Sequence, residues 1–294
     1  MSDPTAGIRR PGATGGSPRA DATHYTTILE AGRSERNYWT DLVRYRELFA
    51  ILAWRDISVR YKQTVIGVAW AVLRPLLTMV VFTAVFGWIA GLPSDGNVPY
   101  SLMVFAGMLP WFLFSSILSE ASNSLIANTN LIGKVYFPRI LIPASAAAVA
   151  LVDFAIAAVL MLALMLAYGV LPGWRILLLP VLTLLAVVAA LGPAVLIAAL
   201  NVKYRDFRYI VPFIVQLGLY ASPVGFSSVV VPEKWRLAYS LNPMVGVIDG
   251  FRWCLVGGAV DMRAIVLAVL VSAAMLALGL WYFRKTERTF ADLI

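Results

Sequence analysis

The chain has 294 residues, 60% hydrophobic and 14% charged, against about 45–50% and about 25% in a typical soluble domain. An ordinary soluble globular protein is excluded, and several apolar runs reach the ~20 residues a helix needs to cross a bilayer. With a single cysteine, Cys254, and a single histidine, His24, the sequence cannot assemble an intrachain disulfide, a Cys/His metal cluster or a Ser-His-Asp triad.

Residues 1–36 are rich in Gly, Pro, Ser, Thr, Ala and Arg and read as a disordered cytosolic tail. They lack the apolar segment of a signal peptide, and His24 is read as a solvated tail residue. From 38 to 62 the pattern turns amphipathic: Leu42, Tyr45, Leu48, Phe49 and Leu52 share one helical face, which predicts a helix lying flat in the membrane interface. Arg55, Arg60 and Lys62 then stand directly before an apolar run, either as a positive-inside anchor or as part of a docking helix at anionic head groups.

Six spans are predicted, at 65–89, 100–119, 140–168, 176–200, 210–226 and 264–283. An even number returns both termini, including a short C-terminal tail over 284–294, to one side. Eighteen Lys and Arg fall on that side against five on the other, so both termini are placed in the cytosol. The net charge of +8 therefore reflects membrane topology rather than nucleic-acid binding. In the first span Arg74 precedes Pro75, which predicts a kink; Arg74 either snorkels or pairs structurally, or lines a pathway. Glu120, beside Ser119, Ser122, Asn123 and Ser124, reads as a solvated residue at the end of the second span. Asp153 lies mid-span without an evident partner, as a hydrogen-bonded helix contact or as the proton relay of a secondary transporter.

Residues 227–262 are too polar to cross, yet carry an apolar stretch over 244–260 interrupted by Asp249, Arg252, Gly257 and Gly258. They predict one or two short helices re-entering from the outer side and lining a vestibule, or a folded external loop. Trp88, Tyr100, Trp111, Phe112, Trp235 and Trp253 gather toward the outer end, as an interfacial aromatic belt or as rings that stack on sugars. No phosphate-binding loop is present: Gly133-Lys134 is followed by Val135, with Asn128 where the first glycine should stand. The chain cannot hydrolyse ATP by that route, and no D-x-D acid pair supports a membrane glycosyltransferase.

Five segments, RDISVRYKQTVIGVAWAVLRPLL (55–77), GMLPWFLFS (107–115), NTNLIGKVYFPRILIP (128–143), NVKYRDFRYIVPF (201–213) and VPEKWRLAYSLNPMVGVIDGFRW (231–253), come in a specific order and spacing. Over about residues 48–288 the chain resembles the membrane-spanning permease subunit of type-2 ABC exporters of polysaccharides or lipid-linked polysaccharides, of the O-antigen, teichoic acid or galactan type. The resemblance implies an all-α protein of the bacterial inner membrane, a homodimer of six-span subunits, and two separate ATPase subunits that hold ATP and Mg. This chain itself would carry no cofactor, metal or catalytic residue.

By the same analogy 38–62 matches the interface helix, and 124–135 the coupling segment that enters the ATPase, with Asn128, Asn130, Lys134 and Tyr136 as coupling residues. The outer gate then corresponds to 227–262, with Trp235, Asn242, Pro243, Asp249 and Arg252. Arg55, Arg60, Lys62 and Arg74 form a cytosolic gate that meets the phosphate of a lipid-anchored glycan. Candidate channel-lining residues are Phe82, Phe86, Gln216 and Tyr220, and Pro75, Pro212 and Pro223 are flexing points. The long tail before Arg36 departs from the family's compact start. Competing expectations are a type-2 exporter of a small molecule or simple lipid, for which Phe82 and Phe86 matter little, and a proton-coupled transporter built on Asp153.

Overall fold

The computed structural model describes residues 42–62, 67–94, 98–134, 137–287 and 290. The expected tail, the first residues of the expected interface helix and Tyr136 lie outside the described residues. Every regular element among the described residues is helical. In chain order these are α1 (Arg46–Lys62), α2 (Gly67–Phe82), α3 (Tyr100–Ala127), the single turn α4 (Thr129–Ile132), α5 (Leu141–Ala167), α6 (Leu179–Lys203), α7 (Phe207–Ala221), α8 (Glu233–Tyr239), α9 (Pro243–Leu255) and α10 (Met262–Thr286).

Among the described residues, five stretches are long and apolar enough to cross a membrane: Ala69–Ile89, Tyr100–Ala127, Leu141–Ala167, Trp174–Lys203 and Met262–Thr286. The helix α3 is the central one, packing on α2, α5, α6, α7 and α9. In its apolar 18-residue window 78% of the residues are buried, against 17% in that of the α2 stretch, so α2 turns most of its apolar surface outward. Residues of α2 continue into a π-helical stretch, Thr83–Ile89, beyond the internal Pro75. The pair α6 and α10 approaches closely through glycine: a Cβ on Gly279 would sit 2.4 Å from the Gly192 carbonyl oxygen, the kind of backbone approach that holds helices together where lipid supplies no hydrophobic drive.

Two expected spans end differently. The second does not stop at 119, because α3 runs on to Ala127. Its polar last turns are absorbed internally: the side chains of Ser122, Asn123 and Ser124 donate to carbonyls three or four residues back. The expected fifth span, 210–226, is the 15-residue α7, which stops at Ala221. A helix of that length rises about 22 Å, short of the ~30 Å hydrocarbon core. Ser222 is extended, as the following Pro223 favours, and residues 222–225 are buried without being helical.

The expected gate segment holds two helices of different character. Helix α8 has no buried residue, whereas eleven residues of α9 are buried, where it packs against α10, α3 and α6. At Gly246 a Cβ would lie 2.4 Å from the Ala264 carbonyl oxygen, so only glycine permits that contact with α10.

Candidate functional site

Helix α1 lies against α5 with the face expected from the sequence: Leu42, Tyr45, Leu48, Phe49 and Leu52 are half-buried or buried, while Val43, Ile51 and Trp54 are exposed. Polar ties fasten it at two levels. Arg55 Nη2 donates to Asn128 Oδ1 at 2.8 Å, and its Nε donates to Asp56 Oδ1 at 2.8 Å. The other oxygen of Asp56 accepts from Ser145 Oγ at 3.3 Å.

One turn further on, Arg60 reaches two helices at once. Its Nη1 pairs with Glu120 of α3 and its Nη2 with Asp153 Oδ2 of α5 at 2.6 Å. The Tyr61 hydroxyl donates to the second Asp153 oxygen. Partial burial works against the charge on Arg60, but Glu120 and Asp153 outweigh it and raise the guanidinium above its ordinary value. Burial, then the hydrogen bond to Asp153, pushes the Tyr61 phenol up. Both groups therefore keep their protons throughout the physiological range.

These contacts correct one expectation and decide between the two readings of another. Glu120 is ion-paired rather than simply solvated, whereas Asp153 is the bonded helix contact of its two expected readings, with Arg60 and Tyr61 as partners. A carboxylate at membrane depth is costly unless paired, and the cations ahead of the first span supply the pair. Asp56, Tyr61 and Ser145 were outside the expected site. No charge pattern marks Tyr61 or Ser145, whose partners Asp153 and Asp56 lie 92 and 89 residues away.

Beside this cluster, α1, α2, α3 and α5 enclose a cavity of about 270 Å³ whose wall includes Arg60, Tyr61, Trp70, Arg74, Phe112, Ser116 and Asp153. The Arg74 guanidinium stands 5.5 Å from the centroid of the Phe112 ring, a cation–π distance. Lys62 is exposed and lies apart from these ties, so of the four expected gate cations the cavity gathers Arg60 and Arg74.

Among the expected coupling residues, Asn128 is held by Arg55 and by its own side-chain bond to the Ser124 carbonyl at 2.9 Å. Asn130 and Lys134 are exposed. Beyond that segment the Arg139 backbone N–H donates to Glu287 Oε1 at 2.7 Å, its Nη1 donates to the Glu287 carbonyl at 2.5 Å, and its guanidinium faces the buried Phe290 ring at 6.0 Å.

The expected channel residues separate into two pairs. Phe82 and Phe86 pack with ring centroids 5.3 Å apart and planes tilted by 50° against Gly225, where a Cβ would lie 2.8 Å from Phe82. Gln216 and Tyr220 instead stand one turn apart on the exposed face of α7 with Tyr209 and Phe213.

Of the expected outer-gate residues, Trp235 is exposed on α8. Asn242 caps α9, its Oδ1 accepting from the Met244 N–H at 3.0 Å, and Pro243 follows at the first helical position, where its missing N–H costs nothing. The Asn242 amide also donates to Ser222 Oγ at 2.9 Å. Asp249 is buried, and Arg252 is fully buried, donating to the carbonyls of Met103 at 3.2 Å, Val224 at 2.9 Å and Phe226 at 2.8 Å. Carbonyls of the non-helical stretch after α7 are thus met by the Arg252 guanidinium and by the Tyr100 hydroxyl, which donates to Gly225, as irregular backbone at membrane depth requires.

Residues 47–256 match the ABC-2 type transporter family. The O-antigen export system permease protein RfbA of Myxococcus xanthus is 30% identical over 258 residues, covering 86% of this chain and 98% of that protein. An O-antigen export system permease protein RfbA of Klebsiella pneumoniae is 27% identical over 253 residues, covering 84% and 95%. The polysialic acid transport protein KpsM of Escherichia coli is 22% identical over 238 residues, covering 79% and 91%.

Proposed function

The chain belongs to the ABC-2 type transporter family, and from that premise we propose that it is the transmembrane subunit of an ATP-driven polysaccharide exporter. The agreement among the relatives carries this reading: proteins named for export of O-antigen and of polysialic acid align over most of their lengths and most of this chain's. The sequence contains no phosphate-binding loop of its own, so ATP and Mg belong to separate partner subunits, two of them on a homodimer of this chain. Its place is the bacterial inner membrane, with both termini cytosolic and α7 with the residues after it completing a sixth span. The cargo is a glycan attached to a polyprenyl-type lipid carrier.

The hydrogen bond from Arg55 to Asn128 supports a route for the mechanical step. Nucleotide-driven closure of the ATPases acts on 124–135, and the tie passes that displacement to α1 and then to α2. Binding energy can bias only states that differ in contacts, and this polar seam is such a set of contacts. A reading as a proton-coupled transporter loses its main support, because both Asp153 oxygens are engaged by Arg60 and Tyr61.

Depletion of the protein tests the reading directly. Lipid-linked polymer accumulates on the cytosolic side, protected from a glycan-modifying reagent added outside. Unchanged amount and sidedness of the polymer, in cells without a second exporter, overturns it.

A further inference from the structure

A second cavity, of about 280 Å³, lies between the turn Ser228–Val230, α8 and the start of α10. Its wall includes Ser228, Val229, Arg236, Val260, Asp261 and Met262, and none of the expected outer-gate residues lines it. It sits at the first turn of α10, roughly 37 Å along that helix from Thr286 and the neighbouring contact of Glu287 with Arg139. The cavity and the coupling segment therefore occupy opposite ends of the molecule.

Two opposite charges face this space without meeting. Arg236 Nε is buried and has no acceptor, and the guanidinium's one bond among the described residues is a long one, from Nη2 to the Val231 carbonyl at 3.5 Å. Asp261 Oδ1 accepts from the Arg263 N–H at 2.9 Å and so caps α10. Its other oxygen has no partner among the described residues, and neither residue forms an ion pair with any of them. A donor and an acceptor are thus left to be satisfied together. An anion suits the guanidinium but is repelled by the carboxylate, and a cation meets the reverse. A neutral group that both accepts and donates suits the pair, and a hydroxyl does so.

The rest of the wall narrows the ligand further. Ser228 adds a hydroxyl, while Val229, Val260 and Met262 offer carbon surface, and a few polar groups on an apolar wall are the usual make-up of a small-molecule site. The volume equals that of roughly nine liquid waters at ~30 Å³ each, which is room for one compact ring. A carbon ring that carries several hydroxyls is a sugar.

We propose that this cavity is a carbohydrate subsite on the outer face, which holds one sugar ring of the glycan as it leaves. Arg236 donates to one ring hydroxyl, Asp261 accepts from another, and the C–H face of the ring lies on Val229 and Met262. The inference rests on the export reading, which supplies the glycan and the sidedness. A ring held here keeps the emerging chain from slipping back while the ATPases reset.

Protection from labelling tests it. Val229, 58% exposed on the wall, is replaced by cysteine, whereas Cys254 is buried. The full-length Val229→Cys chain in detergent is labelled with a maleimide, alone and with an oligosaccharide fragment of the surface polymer released from the producing cells. At about ten times its Kd the fragment slows labelling about tenfold, and polyethylene glycol of equal mass leaves the rate unchanged. Arg236→Gln or Asp261→Asn in the same chain weakens binding at least about tenfold, so the same concentration leaves labelling within about twofold of the free rate. No protection of Val229→Cys at any soluble concentration overturns the proposal, and that comparison needs neither further variant to fold. Equal protection by polyethylene glycol, or protection that survives both substitutions, overturns it as well. Depletion decides the export reading by itself: polymer trapped inside without protection here removes only the subsite, and protection without trapped polymer removes only the export reading.

Discussion

Two arginines set the two ends of the molecule apart. Arg252 is fully buried and directs its donors to backbone carbonyls of α3 and of the stretch after α7. Arg60 has a side chain 40% exposed and pairs with carboxylates on two different helices. The first arrangement satisfies two carbonyls of the non-helical stretch after α7, Val224 and Phe226, and losing it strands both. The second joins side chains that can be rehydrated, and such partly exposed pairs contribute little net stability. The α9 end is therefore the fixed half, and the α1 rim is the half where contacts exchange at low cost.

The contrast is broken most severely at Arg252. Arg252→Met leaves the Val224 and Phe226 carbonyls without this donor at about 1–3 kcal/mol each, so the detergent-solubilised protein loses its thermal transition or its monodisperse elution. An unchanged melting profile would remove the distinction between the halves. Next in size is Glu120→Gln combined with Asp153→Asn, which takes both charges from Arg60. At about 1 kcal/mol it speeds amide exchange in α1 while exchange in α9 stays as in the wild type; equal acceleration in both helices refutes a separable rim. The smallest effect on stability, a few tenths of a kcal/mol, belongs to Arg55→Ala, an exposed contact. Its effect lies in coupling: the partner ATPase still turns over while polymer export per ATP falls, and unchanged export per ATP rules out the Arg55–Asn128 tie as the link.

Much of this architecture is legible in one sequence. The third, fourth and sixth expected spans differ from α5, α6 and α10 by only a few residues at most ends, because long uncharged runs leave little choice of boundary. The second span was misjudged where Ser119, Glu120, Ser122, Asn123 and Ser124 looked like a wet end. The side chains of Ser122, Asn123 and Ser124 bond back into α3 and that of Glu120 pairs across to α1, which composition cannot reveal. The fifth was set too long, since the Ser222-Pro223 break is a local signal but its backbone partner, Arg252, lies 26 residues or more away. The site itself was half legible. Charges at costly depth marked Arg74 and Asp153, but pairing Arg60 with Glu120 and Tyr61 with Asp153 needs contacts 60 and 92 residues apart, and these depend on how helices rotate against one another.

The contact between Arg139 and Glu287 joins residues 148 positions apart, across α5 to α10. At the ~5–20 residues per second of synthesis, the ribosome delivers Glu287 about 7–30 s after Arg139. The backbone at Arg139, just before α5, thus waits for α10 before it acquires its anchor. Synthesis of α10 then acts as a checkpoint, since a product truncated before Glu287 lacks the acceptor for the Arg139 N–H and guanidinium.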